Sequence, residues 1–231
     1  MWLSRLILDP RSRAVRRDLS DCHQLHRTLL GGFPTVQVSE PRREIGLLHR
    51  VEQDRTGNPV LLVQSLVEPD WSRLPADYCL GGTSGGENPG LKPIGHILDA
   101  VQSGSRFRFR LVANPTRRIS RDASHGGASS ARVELRTEEE WHGWMLRQAD
   151  THGFRLEDLS TAPGLRNLIG LNVGRLQGNR NGESVTVFAV QFDGVLEVAD
   201  AEHFRSAIRS GIGPGKAYGC GLMSIGPPGE P

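Results

Sequence analysis

Short apolar segments and helical patterns alternate along the chain. In its first half, apolar or alternating runs predict strands at 2–8, 45–53, 60–66 and 106–112. Apolar positions three or four residues apart predict a helix that begins at Asp18 or Ser20 and ends near residue 30. A second, short helix is predicted at 94–101, after a Gly- and Pro-rich stretch that reads as a loop from 74 to 93. The order of elements in this half is β-α-β-β-α-β.

The same order recurs in the second half. Strands are predicted at 131–135, 168–173, 185–192 and 218–225. The first helix is predicted at 137–150, where Thr137 and Glu140 have the spacing of a capping box. The second helix falls within 197–210. This half therefore predicts a second β-α-β-β-α-β unit.

Together, the two halves predict an α+β protein of two tandem ferredoxin-like (βαββαβ) domains. The N-terminal domain is predicted to span 1–113 and the C-terminal domain 131–231. Between them, residues 114–130 are rich in polar residues, Gly and Ser, which predicts a mobile linker.

The composition excludes several classes of protein. The three cysteines, Cys22, Cys79 and Cys220, are far apart in the sequence and odd in number, which favours a reducing compartment over a disulfide framework. No apolar run is long enough to span a membrane, and the first residues lack the apolar core of a signal peptide. We therefore expect a cytoplasmic protein that has no membrane partner.

Positive charge is concentrated in particular segments, although the formal net charge is only +2. Residues 104–121 contain six arginines and no acid, and 106–112 alternates basic and apolar residues as R-F-R-F-R-L-V. Segregated arginines suit a polyanionic ligand, because the guanidinium group binds phosphate with two parallel hydrogen bonds. The alternative is an ordinary solvated strand face followed by a polar loop.

A glycine-rich stretch, G-I-G-P-G-K-A-Y-G-C-G at 211–221, lies between the last predicted helix and the last strand. Such a loop can direct backbone N–H groups at a phosphate, with Lys216 beside it. It matches neither the P-loop nor the dinucleotide-binding motif, so no ordinary nucleotide cofactor is expected. The alternative is that these glycines only end a helix and allow close packing.

Two of the eight histidines, His23 and His26, lie three residues apart on the first predicted helix and therefore neighbour each other. Imidazole titrates near neutral pH, so acid–base catalysis is one interpretation. The other interpretation is that the two histidines are simply partly buried helical residues or surface residues. His49 and the remaining histidines have no such neighbour in the sequence. There is no H-E-x-x-H motif, and we expect neither a metal nor another cofactor.

Several segments, in this order, resemble the Cas6e family (also called CasE or Cse3). They are M-W-L-S-R-L-I-L, D-C-H-Q-L-H-R-T-L-L-G-G-F-P, F-R-L-V-A-N-P-T, E-E-E-W-H-G-W-M-L-R-Q-A-D-T-H-G-F and the terminal G-I-G-P-G-K-A-Y-G-C-G-L-M. The family comprises the endoribonucleases that process CRISPR RNA in type I-E systems. The resemblance covers nearly the whole chain and implies the tandem ferredoxin-like fold.

The resemblance also implies a reaction and partners. Such enzymes cut the CRISPR repeat RNA at the 3′ base of its hairpin without a metal, leaving a 2′,3′-cyclic phosphate and a 5′-hydroxyl. The family's catalytic histidine corresponds to His26. Members often carry tyrosine at the position of His23, so the role of His23 stays open between proton transfer and phosphate positioning. The implied partners are the repeat RNA hairpin and the other subunits of the Cascade complex.

From these observations the predicted catalytic residues are His26, His23 and Lys216. The predicted RNA-binding residues are Arg27, Arg106, Arg108, Arg110, Arg117, Arg118, Arg121, Arg166, Arg175, Gly213, Gly215 and Tyr218, with Arg180 as a further candidate. Two other functions remain open from the residues alone. One is a non-catalytic RNA-binding scaffold of the wider RAMP superfamily, and the other is a protein that binds a phosphorylated metabolite.

Overall fold

The computed structural model describes residues 1–34, 41–81, 86–120, 130–159 and 162–228. The helices are α1 (Arg13–Ser20), α2 (Cys22–Gly31), α3 (Pro41–Ile45), α4 (Gly95–Asp99), α5 (Glu138–Thr151) and α6 (Ala201–Ser210). The strands are β1 (Trp2–Ile7), β2 (Leu48–Gln53), β3 (Pro59–Ser65), β4 (Gly90–Pro93), β5 (Arg106–Ala113), β6 (Thr116–Ser120), β7 (Ser130–Glu134), β8 (Phe154–Leu156), β9 (Asp158–Leu159), β10 (Ala162–Arg166), β11 (Leu168–Arg180), β12 (Glu183–Val198) and β13 (Met223–Gly226).

The first sheet has the strand order β2-β3-β1-β4, and all its neighbours are antiparallel. This is the order of a ferredoxin-like sheet, with the first and third strands in the centre. The predicted strands of the first half form as expected, apart from small shifts of their ends. The expectation of a continuous loop at 74–93 is wrong, because β4 lies within it and pairs with β1, Trp2 opposite Pro93.

The second sheet has the order β11-β12-β5-β13, and β8 also pairs with β12. Our assignment of β5 to the first sheet is wrong, because β5 pairs with β12 and β13. The segment 131–135, expected to open the second sheet, corresponds to β7, which pairs with β6 in a separate two-stranded hairpin. The local pattern identifies a strand but not its partner. We therefore propose that the second ferredoxin-like unit begins at β5 and not at residue 131.

The helix predicted from Asp18 or Ser20 to near residue 30 corresponds to α2, and sequence reasoning missed the separate helix α1 that precedes it. Asp21 adopts an extended conformation between α1 and α2, and its carboxylate accepts hydrogen bonds from the backbone N–H groups of His23 and Gln24 at 2.9 and 3.1 Å. It is therefore the N-cap of α2. The predicted capping box of Thr137 and Glu140 is present at the start of α5.

Each sheet has its own hydrophobic core. In the first unit, α1 and α2 contribute Val15, Leu25 and Leu29, which pack with Leu6 and Leu61 of the sheet. In the second unit, α5 and α6 cover the face that carries Phe109, Phe192 and other buried residues of β5 and β12. The apolar face of the alternating strand β5 is thus buried in the second core, which explains its place in that sheet.

Two buried polar side chains of the first sheet join the units. Arg50 on β2 donates hydrogen bonds to the carbonyl oxygens of Arg110 and Leu222 at 3.1 and 2.9 Å and to Ser224 Oγ at 2.8 Å. Gln64 on β3 donates to the carbonyl oxygen of Ile208 at 2.8 Å. These contacts fix the second unit against the first and so fix any site that both units build.

Within the described part of the chain, no helix has the length and apolar character needed to cross a membrane.

Candidate functional site

Helix α2 carries the two candidate histidines on its flank. Leu25 and Leu29 face the core of the first unit, which leaves His23 and His26 half-buried on an adjacent face, one turn apart. A segment of the second unit holds this end of the helix, because Asn179 on β11 donates its backbone N–H to the Asp21 carboxylate at 3.2 Å. Asp21 therefore both caps α2 and ties it to the long β11–β12 hairpin.

The glycine-rich stretch reaches the same place from the other end of the chain. Residues Lys216–Tyr218 form a 3-10 turn between Gly215 and Gly219, whose positive φ angles of 78° and 90° favour glycine. The turn contacts α2 and β2. The rings of Tyr218 and His23 have their centroids 6.4 Å apart. The histidine helix and the glycine-rich turn therefore lie side by side, although they come from opposite ends of the chain.

The glycine-rich stretch is not an open array of N–H donors. Gly211, Ile212, Tyr218, Cys220 and Gly221 all donate their backbone N–H groups to carbonyl oxygens of the protein. The other candidate glycines serve close packing. A Cβ on Gly213 would lie 3.0 Å from the Trp144 ring, and one on Gly215 would lie 3.2 Å from Val187. These contacts favour a packing role for both glycines and leave their predicted RNA contacts as a prediction.

Between α2, α3 and the turn lies a cavity of about 360 Å³, here called the histidine depression. Its lining is dominated by histidine and arginine. The lining residues are His23, His26, Arg27, Leu30, Arg42, Arg43, Arg180, Ala217 and Tyr218. No acid is found among these lining residues of the described chain. The depression therefore combines two imidazoles with a positive wall and suits an anion.

Burial and charge set the protonation state of His26. Burial lowers its pKa to about 4, with further lowering by the positive charges of Arg42 and His23. Its Nδ1 is buried and has no hydrogen-bond partner within the described residues. At neutral pH His26 is therefore uncharged, and a neutral imidazole can accept a proton.

Beneath this pair lies His49 of β2, which sequence reasoning left aside. It is fully buried, and burial lowers its pKa to about 3, with added effects from His26 and Arg42. Neither ring nitrogen has a partner in the described part of the protein. The alternating pattern of β2 did not indicate that His49 belongs near this pair, because His49 and His26 become neighbours only in the folded protein.

Lys216 lies beside the histidine depression but not in it. Its Nζ donates a hydrogen bond to the Ser210 carbonyl oxygen at 2.9 Å, and it lines a second cavity with Arg42 and Arg43. Its pKa is lowered by burial and then by the charges of these two arginines. The turn that carries Lys216 thus contacts α2, whereas its ammonium group faces a neighbouring cavity, and the catalytic role of Lys216 stays a prediction.

The arginines of β5 have protein partners. Arg106 forms an ion pair with Glu157. Arg110 forms one with Asp193 at 2.6 Å, and Arg108 donates to the carbonyl oxygen of Pro227 at 3.1 Å. The acids come from other segments, so the sequence pattern R-F-R-F-R did not show them. The predicted RNA contacts of these three arginines must compete with these contacts.

The remaining candidates lie elsewhere. Arg117 and Arg118 are exposed on β6 of the β6–β7 hairpin. Arg175 on β11 pairs with Glu134 on β7 at 3.0 Å. Arg121 falls outside the described residues, as does the side chain of Arg166.

Sequence reasoning missed Arg42 and Arg43, which line both cavities. The available signal was the pair of adjacent arginines in E-P-R-R-E, just before β2. With respect to metals, the described residues contain no group of three or more His, Cys, Asp or Glu side chains arranged to hold an ion.

Comparisons with known proteins give a consistent result over the whole chain. A family profile described as "CRISPR associated protein" matches residues 1–227. The CRISPR-associated endoribonuclease Cse3 of Thermus thermophilus is 40% identical over 231 residues, which cover 98% of this chain and 100% of that protein. The CRISPR system Cascade subunit CasE of Escherichia coli K12 is 29% identical, with coverage of 98% and 100%.

The fold agrees with solved structures of the same proteins. Thermus thermophilus Cse3 bound to an RNA representing a pre-cleavage complex superimposes with a TM-score of 0.78 at 37% identity, and the match covers 98% of each chain.

Proposed function

The chain belongs to the Cse3/CasE (Cas6e) family of CRISPR-associated endoribonucleases, and we propose that it cuts CRISPR repeat RNA at the 3′ base of its hairpin. The reaction is a metal-independent transesterification. The 2′-hydroxyl attacks the adjacent phosphorus, the bond to the 5′ oxygen breaks, and the products are a 2′,3′-cyclic phosphate and a 5′-hydroxyl. The observation that carries this proposal is the histidine depression, which places a neutral imidazole against a wall of arginines.

Such a reaction needs a proton acceptor, a proton donor and stabilisation of the negative charge on the pentacoordinate phosphorus. His26 meets the first need, because its low pKa keeps a nitrogen lone pair available to the 2′-hydroxyl proton. His23, one turn earlier on the same helix, is the donor and gives a proton to the leaving 5′ oxygen. His23 thus does proton transfer in the place where relatives often have a tyrosine.

The arginines of the depression supply the charge stabilisation. Arg27, Arg42 and Arg43 surround the histidine pair, and a guanidinium fork matches two phosphate oxygens. Tyr218 closes the depression from the glycine-rich turn beside His23.

The hairpin stem needs a larger surface than the depression. An A-form stem is contacted mainly through its phosphates and 2′-hydroxyls. Arg117 and Arg118 are exposed on the β6–β7 hairpin. We assign them to the stem and retain Arg175 as a contact that must exchange its pairing with Glu134.

The partners follow from the relatives. CasE of Escherichia coli is a subunit of Cascade. We extend this to the present chain, as a subunit that keeps its RNA product and joins the corresponding complex. Its place of action is the cytoplasm, which agrees with its three free cysteines.

The proposal is tested with labelled repeat RNA and the variant His26→Ala. Positioned acid–base catalysis contributes about 10²–10⁴-fold, so we expect single-turnover cleavage to fall by that factor while hairpin binding is retained. The matched control is His96→Ala, which removes an exposed histidine on α4 and should leave the rate unchanged.

The chemistry of the product ends and the independence from metal ions complete this test. The wild-type product should carry a 2′,3′-cyclic phosphate and should form in excess EDTA. Full-rate cutting by His26→Ala would remove His26 from the mechanism. RNA binding without any cutting by the wild-type protein would favour a scaffold function.

A further inference from the structure

The tip of the β11–β12 hairpin reaches the histidine depression from the second unit. Arg180, the last residue of β11, lines the depression together with His23, His26 and Tyr218. It is exposed and has no hydrogen-bond or ion-pair partner among the residues that the structure describes. Nothing in the reaction described so far uses this arginine.

The backbone on either side of Arg180 is held in place. Asn179 donates its N–H to the Asp21 carboxylate at 3.2 Å, and its side-chain oxygen accepts the N–H of Gly182 at 2.7 Å. The two residues of the turn, Asn181 and Gly182, have positive φ angles of 54° and 89°. A two-residue turn of this conformation matches the twist of a hairpin and keeps it tight. The base of the Arg180 side chain is therefore fixed relative to α2.

Gly178 sets the distance between this hairpin and α2. A Cβ at this position would lie 2.7 Å from Asp21 Oδ1 and 2.9 Å from the backbone nitrogen of His23. Distances this short would force one side to move, so the absence of a side chain lets β11 lie directly on the first turn of α2. Residues two apart on a strand share a face. Arg180 therefore projects from the same face as Gly178, towards the helix that carries the histidines.

The surroundings of Arg180 favour a phosphate as its partner. The described lining of the depression contains two imidazoles and further arginines but no acid. A guanidinium group with free donors can bind two oxygens of one phosphate. The negative charge on these oxygens grows as the 2′-hydroxyl attacks, so such a contact contributes more to the rate than to binding.

We propose that Arg180 binds the scissile phosphate and stabilises the charge that develops on it, and that Gly178 is the positioning residue that holds Arg180 at the depression. This inference rests on the proposed function. It makes the active site a product of both units, because α2 of the first unit supplies the imidazoles and the β11–β12 hairpin of the second supplies this guanidinium.

The first test compares Arg180→Ala with Arg55→Ala. Arg180→Ala should slow single-turnover cleavage of labelled repeat RNA at saturating protein by about ten- to a hundredfold, since a hydrogen bond between charged groups contributes about that much. Hairpin binding should weaken by a smaller factor. Arg55 lies in the exposed turn of the β2–β3 hairpin, and its removal should leave both the rate and the binding unchanged.

Two further measurements separate a phosphate contact from a structural role. Arg180→Lys keeps the charge but loses the planar fork, so it should retain only part of the rate. Added guanidinium ion, far below the concentration that unfolds the protein, should restore part of the rate that Arg180→Ala loses. It should not speed cleavage by the wild-type protein or by His26→Ala.

The variant Gly178→Ala tests the positioning. Its Cβ would push the hairpin away from α2, so the rate should fall, and combination with Arg180→Ala should give less than the product of the two separate losses. The control is Gly226→Ala, because a Cβ on this glycine of β13 would meet nothing within 4 Å. Urea denaturation checks that both variants fold. If Gly178→Ala does not fold, the variants of the exposed Arg180 decide the inference alone.

Full-rate cleavage by Arg180→Ala would overturn the inference, although cutting by the wild-type protein would still support the proposed function. A loss of hairpin binding as large as the loss of rate would make Arg180 an ordinary stem contact and would overturn it as well. Losses that multiply fully in the double variant would show that Gly178 acts on α2 and not on Arg180. If the wild-type protein cut no repeat RNA, the proposed function itself would fail.

Discussion

The arginines of β5 and those of the histidine depression are the same residue type in opposite surroundings. Arg106 and Arg110 meet Glu157 and Asp193, which come from distant segments. Around the histidine depression, four arginines and two histidines line the wall, and the described lining contains no acid. The β5 arginines contact acids of other segments, whereas the arginines of the depression are those that we propose to contact the RNA.

Asp21 shows how an acid can lie beside the depression without neutralising it. It directly precedes α2, but its carboxylate oxygens accept the backbone N–H groups of His23, Gln24 and Asn179. The Asp21 carboxylate thus binds backbone N–H groups and helps to position the helix that carries the histidines.

The largest expected effect concerns Arg50, the extreme case of a structural arginine. Its side chain is 3% exposed and is bound by Glu52 at 2.7 Å and by three acceptors of the second unit. Arg50→Ala leaves Glu52 and these acceptors without their donor, so we expect the free energy of unfolding to fall by about 3–5 kcal/mol. Urea denaturation measures it.

The control for Arg50 is Arg11→Ala, because the Arg11 side chain is 83% exposed and pairs only with Asp9 among the described residues. It should change the unfolding free energy far less than Arg50→Ala does, because an exposed ion pair is screened by solvent. Equal losses for the two variants would contradict the division between structural and surface arginines.

The next largest expected effect is the pH dependence of stability that the buried histidines at the histidine depression cause. His49 is fully buried with a folded-state pKa of about 3, against an ordinary value of 6.5. The unfolded chain therefore binds a proton that the folded protein excludes, and stability falls as pH falls from about 6.5 toward 3. His26, with a pKa of about 4, acts in the same direction.

Between pH 7 and pH 4.5 the His49 contribution amounts to roughly 2–3 kcal/mol. The variant His49→Leu should flatten this part of the curve, measured by urea denaturation at a series of pH values. Exposed His96→Leu is the control and should leave the slope unchanged. An acid-induced loss that is as large in His49→Leu as in the wild-type protein would show that other groups cause it.

The sequence predicts the fold well where the signal is local. The pattern at 2–8, the hairpin of β2 and β3, and the capping box of Thr137 and Glu140 all depend on neighbouring residues, and all three are present. The place of β5 depends on which sheet buries Phe109 and Leu111, and this is decided by β12 and β13, over eighty residues away. That choice could not be read from the strand itself.

The candidate site likewise contains residues that the sequence identified and residues that it missed. His23, His26 and Tyr218 were identified from spacing and from the resemblance to a family, and the fold brings them to one cavity. Arg42, Arg43 and His49 were missed because each becomes a neighbour of His26 only through packing of α3 and β2 against α2. A count of charges along the chain favoured the β5 arginines, whose partners it could not show.

RNA binding tests the comparison directly. Loss of a phosphate contact by Arg27→Ala should weaken hairpin binding about ten- to a hundredfold and reduce the slope of log affinity against log salt by about one. Arg106→Ala should change the affinity by less than about twofold, because Glu157 already engages its guanidinium. Filter binding across a salt series measures both. A larger loss for Arg106→Ala would make the β5 face an RNA surface.

The smallest expected effect concerns Asp21, the acid that positions α2. Asp21→Ala removes the N-cap of α2 and the bond to Asn179, so stability should fall by about 1 kcal/mol. Cleavage should also fall, since His23 lies in the first turn of that helix and its position depends on the cap. Asp21→Asn keeps the N-cap acceptor but replaces the oxygen that accepts from Asn179 with an NH2 donor, so it should recover only the share of both losses that the cap contributes. If the rate fell as far in Asp21→Asn as in Asp21→Ala, the charge of Asp21 or its bond to Asn179, and not the cap, would control the position of the histidines.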